Sequence, residues 1–180
     1  MITLSILICS LESRKEKLKI LLDILEKQKT DEIEIVIDCD NGEKKVGKKR
    51  NDLLDVSRGG YISFIDDDDV VSEDYVSLIL QALSGNPDCV GIKGALVNGD
   101  KFNGIFIHTI DCMGWVDAGK MYYRCPNHLN PVRRSLAIKA GFPDNLSYGE
   151  DRVYSERLFK LLKSEVFVDE FLYFYNVGPK

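Results

Sequence analysis

Long apolar runs are absent from this sequence of 180 residues. A membrane-spanning helix needs about 20 mainly apolar residues, and the apolar run from Ile2 to Cys9 is far shorter than that. This run also has neither a basic leader nor a small-residue cleavage site, so it does not match a signal peptide. We therefore expect no integral membrane segment, and any membrane association would have to be peripheral.

An excess of positive charge is absent as well, because 24 Lys and Arg residues face 29 Asp and Glu residues. The net charge of -5 argues against indiscriminate binding of nucleic acid, although a local basic patch could still contact phosphate. The cysteine count of five is odd, and Cys9, Cys39 and Cys89 lie in or beside apolar segments, where reduced thiols behave as small core residues. Such thiols are typical of a reducing compartment, so we expect a cytoplasmic protein.

Internal repeats and low-complexity tracts are also missing, and the composition is ordinary for a globular protein, with 44% hydrophobic and 29% charged residues. A chain of this length is expected to form one domain, which can bury roughly 70% of its unfolded surface. The core therefore needs no disulfide bonds.

Apolar strands alternate with amphipathic helices through the first half of the chain. The strands are predicted at Ile2–Cys9, 33–37 and 61–65; the first helix carries Leu18, Leu21, Leu22 and Leu25 on one face, and the second, from Glu43 to Ser57, carries Val46, Leu53, Leu54 and Val56. Strand, helix and strand in this order imply parallel pairing through a right-handed crossover. From Asn98-Gly99 onward the signals are those of a hairpin, so the sequence predicts an α/β fold with a mainly parallel sheet in the N-terminal half and a mixed sheet in the C-terminal half.

Four carboxylates, Asp66 to Asp69, follow the third strand directly, and we call these residues the acidic segment. Like charges about 4 Å apart repel by roughly 4 kcal/mol at an effective dielectric constant near 20. A hard divalent cation would neutralise them, and Mg²⁺ or Mn²⁺ bound to carboxylates keeps positions open for phosphates. The alternative is a solvated acidic turn before the next helix, and Asp69 is expected to be only that.

Cations crowd the start of the second predicted helix, where acids are normally favoured. They are Lys44, Lys45, Lys48, Lys49 and Arg50. This placement suggests an external anion such as a diphosphate, although Lys44 and Lys45 are expected to be simply solvated. Gly42-x4-Gly47-Lys48-Lys49 also approaches the phosphate loop of P-loop NTPases, but Lys49 stands where that motif needs Ser or Thr for magnesium.

Two histidines and two cysteines in the second half offer a further alternative, a zinc site. His108, Cys112, Cys125 and His128 have the spacings His-x3-Cys and Cys-x2-His, which are not those of standard zinc knuckles. A chance set of buried thiols and histidines explains the pattern better. Trp115, which lies between them, could stack on a sugar ring or a base, or belong to the core.

Three short motifs in a fixed order resemble family-2 glycosyltransferases of the GT-A type. They are Gly47-x-x-Arg50-Asn51, Asp66-x-Asp68 after a buried strand, and Gly149-Glu150-Asp151 at a helix start, and the resemblance extends over nearly the whole chain. It implies a Rossmann-like three-layer α/β/α sandwich forming a single GT-A domain over residues 1–180. Residues 1–97 would bind the nucleotide-sugar and residues 98–180 the acceptor.

The resemblance also implies a metal site and a donor site at the strand ends. Asp66 and Asp68, with His128 as a further ligand, would hold Mn²⁺ or Mg²⁺. The donor, for which a UDP-sugar is favoured, would contact Ser10, Glu12, Asp38, Asp40, Lys48, Arg50, Asn51 and Asp67. For Glu12, an ordinary polar loop is an equally good explanation.

The same resemblance assigns catalysis and acceptor binding to the second half. Asp151 or, less often, Glu150 would be the general base of an inverting transfer to a hydroxyl group. Trp115, Asn130, Arg133 and Arg134 would contact the acceptor, since Arg133-Arg134 and Gly141-Phe142 match an arginine-containing helix start followed by Gly-Phe in the family. The acceptor would be a saccharide or, in a phage or viral protein acting in a host cytoplasm, a hydroxymethylated DNA base.

Overall fold

The computed structural model describes residues 1–112 and 114–178, and it is an α/β fold around one ten-stranded sheet. The strands are β1 (Leu4–Leu11), β2 (Ile33–Asp40), β3 (Tyr61–Phe64), β4 (Val70–Val71), β5 (Cys89–Asn98), β6 (Lys101–His108), β7 (Val116–Ala118), β8 (Met121–Arg124), β9 (Val132–Arg133) and β10 (Glu165–Asn176). The helices are α1 (Lys15–Glu26), α2 (Val46–Val56), α3 (Tyr75–Leu83), α4 (Arg134–Ala140) and α5 (Glu150–Phe159), and a short 3-10 turn covers Glu12–Arg14.

The predicted change from a parallel to a mixed sheet is confirmed. Strands β2, β1 and β3 pair in parallel, in that order, as the crossovers through α1 and α2 require. The hairpin of β5 and β6 is antiparallel, and β9 pairs antiparallel with both β3 and β5. The last strand, β10, runs parallel to β5 and antiparallel to β4, so the end of the chain pairs with strands of its first half.

Helices cover both faces of the sheet, as expected for a three-layer sandwich. Alternate residues of β1 point to opposite faces: Leu4, Ile6 and Ile8 pack with α1 and α3 in one apolar cluster, whereas Leu7 packs with α2, α4 and α5 in the other. Leu18, Leu21 and Leu25 are buried on α1, which confirms the predicted stripe.

Two details of the α2 prediction are wrong. The helix begins at Val46 rather than Glu43, because Asp40 to Lys45 form a turn in which the Asp40 carboxylate accepts backbone hydrogen bonds from Gly42 and Lys44. Val56 is 62% exposed instead of buried, since it is the last residue of the helix and the core contacts are made by Leu53 and Leu54.

No helix within residues 1–112 and 114–178 is both long enough and apolar enough to cross a membrane.

Candidate functional site

The carboxyl ends of three parallel strands meet at one edge of the sheet, where α/β proteins usually bind ligands. Leu7 of β1 pairs with Phe64 of β3, so β1 continues past β3 by four residues to Leu11. Ser10 therefore lies beside the acidic segment, and Leu11 pairs with Asp40 of β2. The sheet register thus brings Ser10, Asp40 and the acidic segment to the same edge of the sheet, as the sequence predicts.

Asp67 is held by the end of β1 and by the turn that follows it. Its side chain is buried, Ser10 Oγ donates to Oδ2 at 2.7 Å, and Arg14 Nη1 donates to Oδ1 at 2.9 Å. Sequence reasoning missed Arg14, because nothing local distinguishes it from the other charges of the 3-10 turn. Asp67 is thus an internal ion-pair partner, which disfavours its predicted direct contact with the donor.

Arg50 is buried between two acids that come from distant parts of the chain. Its Nη2 donates to Asp66 Oδ1 at 3.1 Å and its Nη1 donates to Glu150 Oε1 at 3.0 Å. The guanidinium also stacks over Phe64 and Phe142, with its carbon 5.6 and 5.3 Å from the two ring centroids. Burial alone would lower the pKa of Arg50, but Asp66 and other acidic groups outweigh it, so the pKa is raised and the charge is retained.

Glu150 and Asp151 therefore differ in what they can do at the start of α5. Glu150 is only 5% exposed and its carboxylate is engaged by Arg50. Asp151 is partly exposed, and Oδ1 accepts a hydrogen bond from the backbone of Arg152. Of the two predicted bases, Asp151 is therefore the more exposed, whereas Glu150 is an internal ion-pair partner.

Lys49, and not the predicted Lys48, reaches the strand ends from α2. Lys49 is buried, and its Nζ contacts Ser10 O at 2.6 Å and Asp40 Oδ1 at 2.5 Å. The hydrogen bond from Lys49 and those from two backbone amides lower the pKa of Asp40 to about 2. Lys48 instead pairs with Asp52 on the exposed side of the helix. The structure therefore favours Lys49 over Lys48 as the lysine of the donor site. Helical periodicity could have found this, because Lys49 and Arg50 share a face with Leu53 and Leu54.

Asp68 is the member of the acidic segment whose charge is least compensated. Its Oδ2 is buried and accepts no hydrogen bond, and the nearest cation, Arg14 Nη1, lies 3.9 Å away. His128 is also buried, neither ring nitrogen has a hydrogen-bond partner, and its Nε2 lies 3.5 Å from Asp66 Oδ2. Carboxylates suit Mg²⁺ and Mn²⁺, and a neutral imidazole is a common metal ligand, so these side chains fit a divalent cation in their chemistry. Among the described residues, no three His, Cys, Asp or Glu side chains are placed close enough together to hold a metal ion between them.

Asp69 is not the solvated turn residue that the sequence suggested. It is 2% exposed, Tyr173 Oη donates to Oδ2 at 2.7 Å, and the Asn176 amide donates to Oδ1 at 2.7 Å. Burial, together with the charge of Asp66, raises the pKa of the Asp69 carboxyl to about 8. Both partners lie more than 100 residues away on β10, so no local signal could have indicated this burial.

Three of the four residues predicted to contact the acceptor have internal partners in the structure, away from the acidic segment. Asn130 is fully buried and its amide bonds His108, the Asn127 backbone and Val90 O. Arg133 pairs with Tyr61 at the amino end of β3, where its guanidinium bonds the carbonyls of residues 86 and 87. Arg134 bonds Ser57 and the carbonyls of residues 54 and 55. Both arginines thus lie at the edge of the sheet opposite to the acidic segment.

Asn51 and two acids of the predicted donor set have other contacts. Asn51 exchanges two hydrogen bonds with the backbone of Phe142 and donates a third to Asp144, so it joins α2 to the segment before α5 rather than facing a ligand. Asp38 pairs with Lys44 at 2.9 Å at the end of β2, and exposed Glu12 pairs with Lys15. Lys44 is therefore an ion-pair partner and not merely solvated.

Trp115, the fourth predicted acceptor contact, lines a groove of about 560 Å³ along α5. Trp115 is 48% exposed, and the guanidinium carbons of Arg124 and Arg152 lie 4.9 and 5.8 Å from the centroid of its ring. The helix contributes Arg152, Ser155, Glu156, Phe159 and Lys160 to the groove. Asp151 does not line the groove, but it precedes Ser155 by about one helical turn and so lies on the same side of α5.

The zinc and P-loop alternatives lose their support. His108 bonds Asn130, the thiol of Cys112 donates to Gly114 O, and that of Cys125 donates to Cys112 O. His128 lies beside Asp66 instead of joining them. In the supposed phosphate loop, the amides of Gly42 and Lys44 already bind the Asp40 carboxylate, which occupies the place of a phosphate.

Comparison with solved structures shows where this fold occurs. The structure of S. aureus TarS 1-349 superposes with a TM-score of 0.76 at 17% identity, covering 97% of this chain and 60% of that one. The complex of the same protein with UDP-GlcNAc gives a TM-score of 0.76 at 16% identity, and the complex with UDP gives 0.75 at 17%; each covers 99% of this chain. This chain thus spans about 60% of the TarS 1-349 chains that it resembles.

Comparison at the level of sequence gives the family. No curated protein matches the whole sequence closely enough to be counted as a relative. The model of the family described as glycosyl transferase family 2 matches residues 12–130, well over half of the chain. The match includes the acidic segment, Arg50 and His128, while Glu150 and Asp151 lie beyond its end. From this match and the shared fold, we conclude that the chain belongs to glycosyl transferase family 2.

Proposed function

We propose that this protein is a metal-dependent inverting glycosyltransferase that moves a sugar from a nucleoside-diphosphate-sugar, with UDP as the favoured nucleotide, to a hydroxyl group of an acceptor. The family assignment supports the transferase class. The binding of UDP-GlcNAc and UDP by TarS, which has the same fold, supports the choice of donor.

The observation that carries the proposal is the weakly compensated carboxylate of Asp68. Its three neighbours are neutralised within the protein: Asp66 by Arg50, Asp67 by Arg14, and Asp69 by the burial that raises its pKa. Asp68 Oδ2 is buried with no hydrogen-bond donor, and Arg14, which lies 3.9 Å away, donates its hydrogen bond to Asp67 instead. Because a buried charge without a hydrogen-bonded partner is unfavourable, a cation held by Asp68 together with Asp66 and His128 would complete the site. Such a cation would supply the positive charge that stabilises a departing nucleoside diphosphate.

The chain's own groups would carry out the remaining tasks. Asp151 would accept the proton of the acceptor hydroxyl, whose oxygen would attack the anomeric carbon from the side opposite to the diphosphate, with inversion. Arg50 would hold Asp66 and Glu150 in place, and so join the metal ligands to the start of α5. The end of β1 and the Lys49–Asp40 pair would form the wall of the nucleoside site.

A saccharide is the acceptor class that we favour. The groove along α5 has aromatic walls from Trp115 and Phe159 together with the polar groups of Arg152 and Glu156, and such mixed surfaces suit sugars. A modified DNA base is less favoured as the acceptor, because Arg133 and Arg134, which could contact a DNA backbone, are engaged at the opposite edge of the sheet.

Thermal unfolding in the presence of UDP or UDP-sugars, with and without Mn²⁺, tests the proposal. In the wild type we expect the nucleotide to raise the melting temperature only when Mn²⁺ is present, by an amount equivalent to about 2.7 kcal/mol at a hundred times the dissociation constant. Asp68→Asn should abolish this response, because it removes the charge that binds the cation.

Asp169→Asn is the matched control, since Asp169 carries a largely exposed carboxylate on β10 that pairs with Lys93. This variant should keep the wild-type response to UDP and Mn²⁺. Stabilisation of Asp68→Asn equal to that of the wild type would disprove the metal site. Transfer of sugar by Asp151→Asn at the wild-type rate would disprove the assigned base.

A further inference from the structure

The acidic segment is held at both ends by one hydroxyl group from the last strand. Tyr173 Oη accepts a hydrogen bond from the Asp66 amide at 3.1 Å and donates one to Asp69 Oδ2 at 2.7 Å. Asp66 and Asp69 are also joined directly, since the Asp69 amide donates to Asp66 O at 3.1 Å. The turn that carries Asp68 is therefore closed on itself and fastened to β10.

The tyrosine itself has little freedom to move. Its side chain is fully buried, and its ring contacts Phe106 of β6 edge-on, with the centroids 6.1 Å apart. Its backbone pairs with Val71 of β4 immediately after the acidic segment, and with Gly94 of β5. Asn176, three residues further along β10, donates its amide to the second oxygen of Asp69.

We infer that Tyr173 is a positioning residue for metal and donor binding: its hydroxyl fixes the backbone of the acidic segment so that Asp66 and Asp68 face the site. This inference rests on the proposed function for its consequence, but not for its geometry. Residue 173 lies beyond residues 12–130, the range that the family model matches.

The residue differs from the two other fully buried tyrosines, which therefore serve as controls. Tyr75 Oη forms a hydrogen bond of 2.8 Å with Ser63 Oγ, and Ser63 belongs to β3, close to the acidic segment in sequence. Among the described hydrogen bonds, Tyr75 Oη makes none with the acidic segment itself. Tyr154 Oη is buried with no hydrogen-bond partner. Changing each tyrosine to phenylalanine removes one buried hydroxyl and keeps the ring.

Amide hydrogen exchange in the absence of ligand tests the geometry. In Tyr173→Phe we expect the amides of Asp66, Asp69 and Asn176 to exchange about tenfold faster, as the loss of one hydrogen bond predicts. Tyr75→Phe and Tyr154→Phe should leave these three amides at the wild-type rate. Unchanged rates in Tyr173→Phe, or an equal increase in Tyr75→Phe, would overturn the inference.

Titration of Mn²⁺ at a fixed UDP concentration, read by thermal unfolding, tests the consequence. Tyr173→Phe should require about tenfold more Mn²⁺ for half of the UDP stabilisation, whereas Tyr75→Phe should need the wild-type concentration. Equal requirements in the two variants would overturn the positioning role. If Tyr173→Phe does not fold, Asp69→Ala removes the other end of the same contact and should give both effects. Absence of any Mn²⁺-dependent UDP response in the wild type would refute the proposed function, while the exchange rates would still decide whether Tyr173 holds the segment.

Discussion

At the scale of single residues, the site is a series of alternating acidic and basic side chains. Arg50 lies 3.0 Å from Glu150 and 3.1 Å from Asp66, and His128 lies 3.5 Å from Asp66, so the series runs from the start of α5 to the acidic segment. Arg50 is essential to this arrangement because it is buried and satisfies two carboxylates at once. Removing one partner of a buried pair usually costs more than the pair contributes, since the other charge is left without compensation.

Arg50→Leu should therefore lower the free energy of unfolding by about 3 kcal/mol, measured by urea denaturation. The control is Arg58→Leu, because Arg58 pairs with Glu34 through a side chain that is 74% exposed, and its loss should cost less than about 1 kcal/mol. Adding Glu150→Leu to Arg50→Leu should recover part of the stability. Equal losses in the two single variants would show that the buried pairs have no special role.

At the scale of elements, α2 joins the two sides of the site, since it contacts both the strand ends and the segment before α5. Its inner face carries Lys49 and Arg50 to the strand ends, and its first turn packs against the segment that leads to α5, where the Gly47 amide donates to Leu146 O at 3.0 Å. A β-carbon on Gly47 would lie 2.0 Å from Pro143 O. Only glycine allows this approach of two backbones.

Gly47→Ala separates the effect of helix propensity from that of packing, because the two predict changes of opposite sign in the free energy of unfolding. Propensity alone would stabilise the helix by about 1 kcal/mol, whereas overpacking should destabilise the protein by about 1 to 3 kcal/mol. We expect the loss, measured by urea denaturation. Gly60→Ala is the control, because its β-carbon would meet only Thr3 O at 3.8 Å; a stabilised Gly47→Ala would contradict the described contact.

At the scale of the whole molecule, stability should depend on pH through two buried groups whose pKa values are shifted in opposite directions. Burial lowers the pKa of His108 to about 3, so this residue is neutral in the folded state. Its folded pKa is below its unfolded pKa of about 6.5, and its contribution is therefore complete above about pH 6.5 and is lost as the pH falls toward 3. Asp69, whose pKa is raised, acts in the opposite direction.

A comparison of wild type with His108→Gln isolates the histidine, because Asp69 is present in both proteins and its effect cancels. Below about pH 6 the free energy of unfolding of the wild type should fall more steeply than that of the variant, by about 1.4 kcal/mol per pH unit. Urea denaturation between about pH 4.5 and 7.5 measures both curves. Parallel curves would mean that His108 binds its proton equally well in the folded and the unfolded protein, which would contradict the lowered pKa.

The order of strands and helices, the change from a parallel to a mixed sheet, and the position of the acidic segment at a strand end were determined by the sequence itself, because they depend on periodicity and turn residues within about 15 positions. Only the tertiary structure decided which cation meets which acid. Arg133 and Arg134 proved to lie at the opposite edge because β9 pairs with the amino end of β3, whereas the choice of Lys49 over Lys48 already follows from helical periodicity. The contacts of Asp66 with Arg50 and of Asp69 with Tyr173 join residues 16 and 104 positions apart. Sheet register and side-chain burial create such contacts, and no local pattern in the chain encodes them.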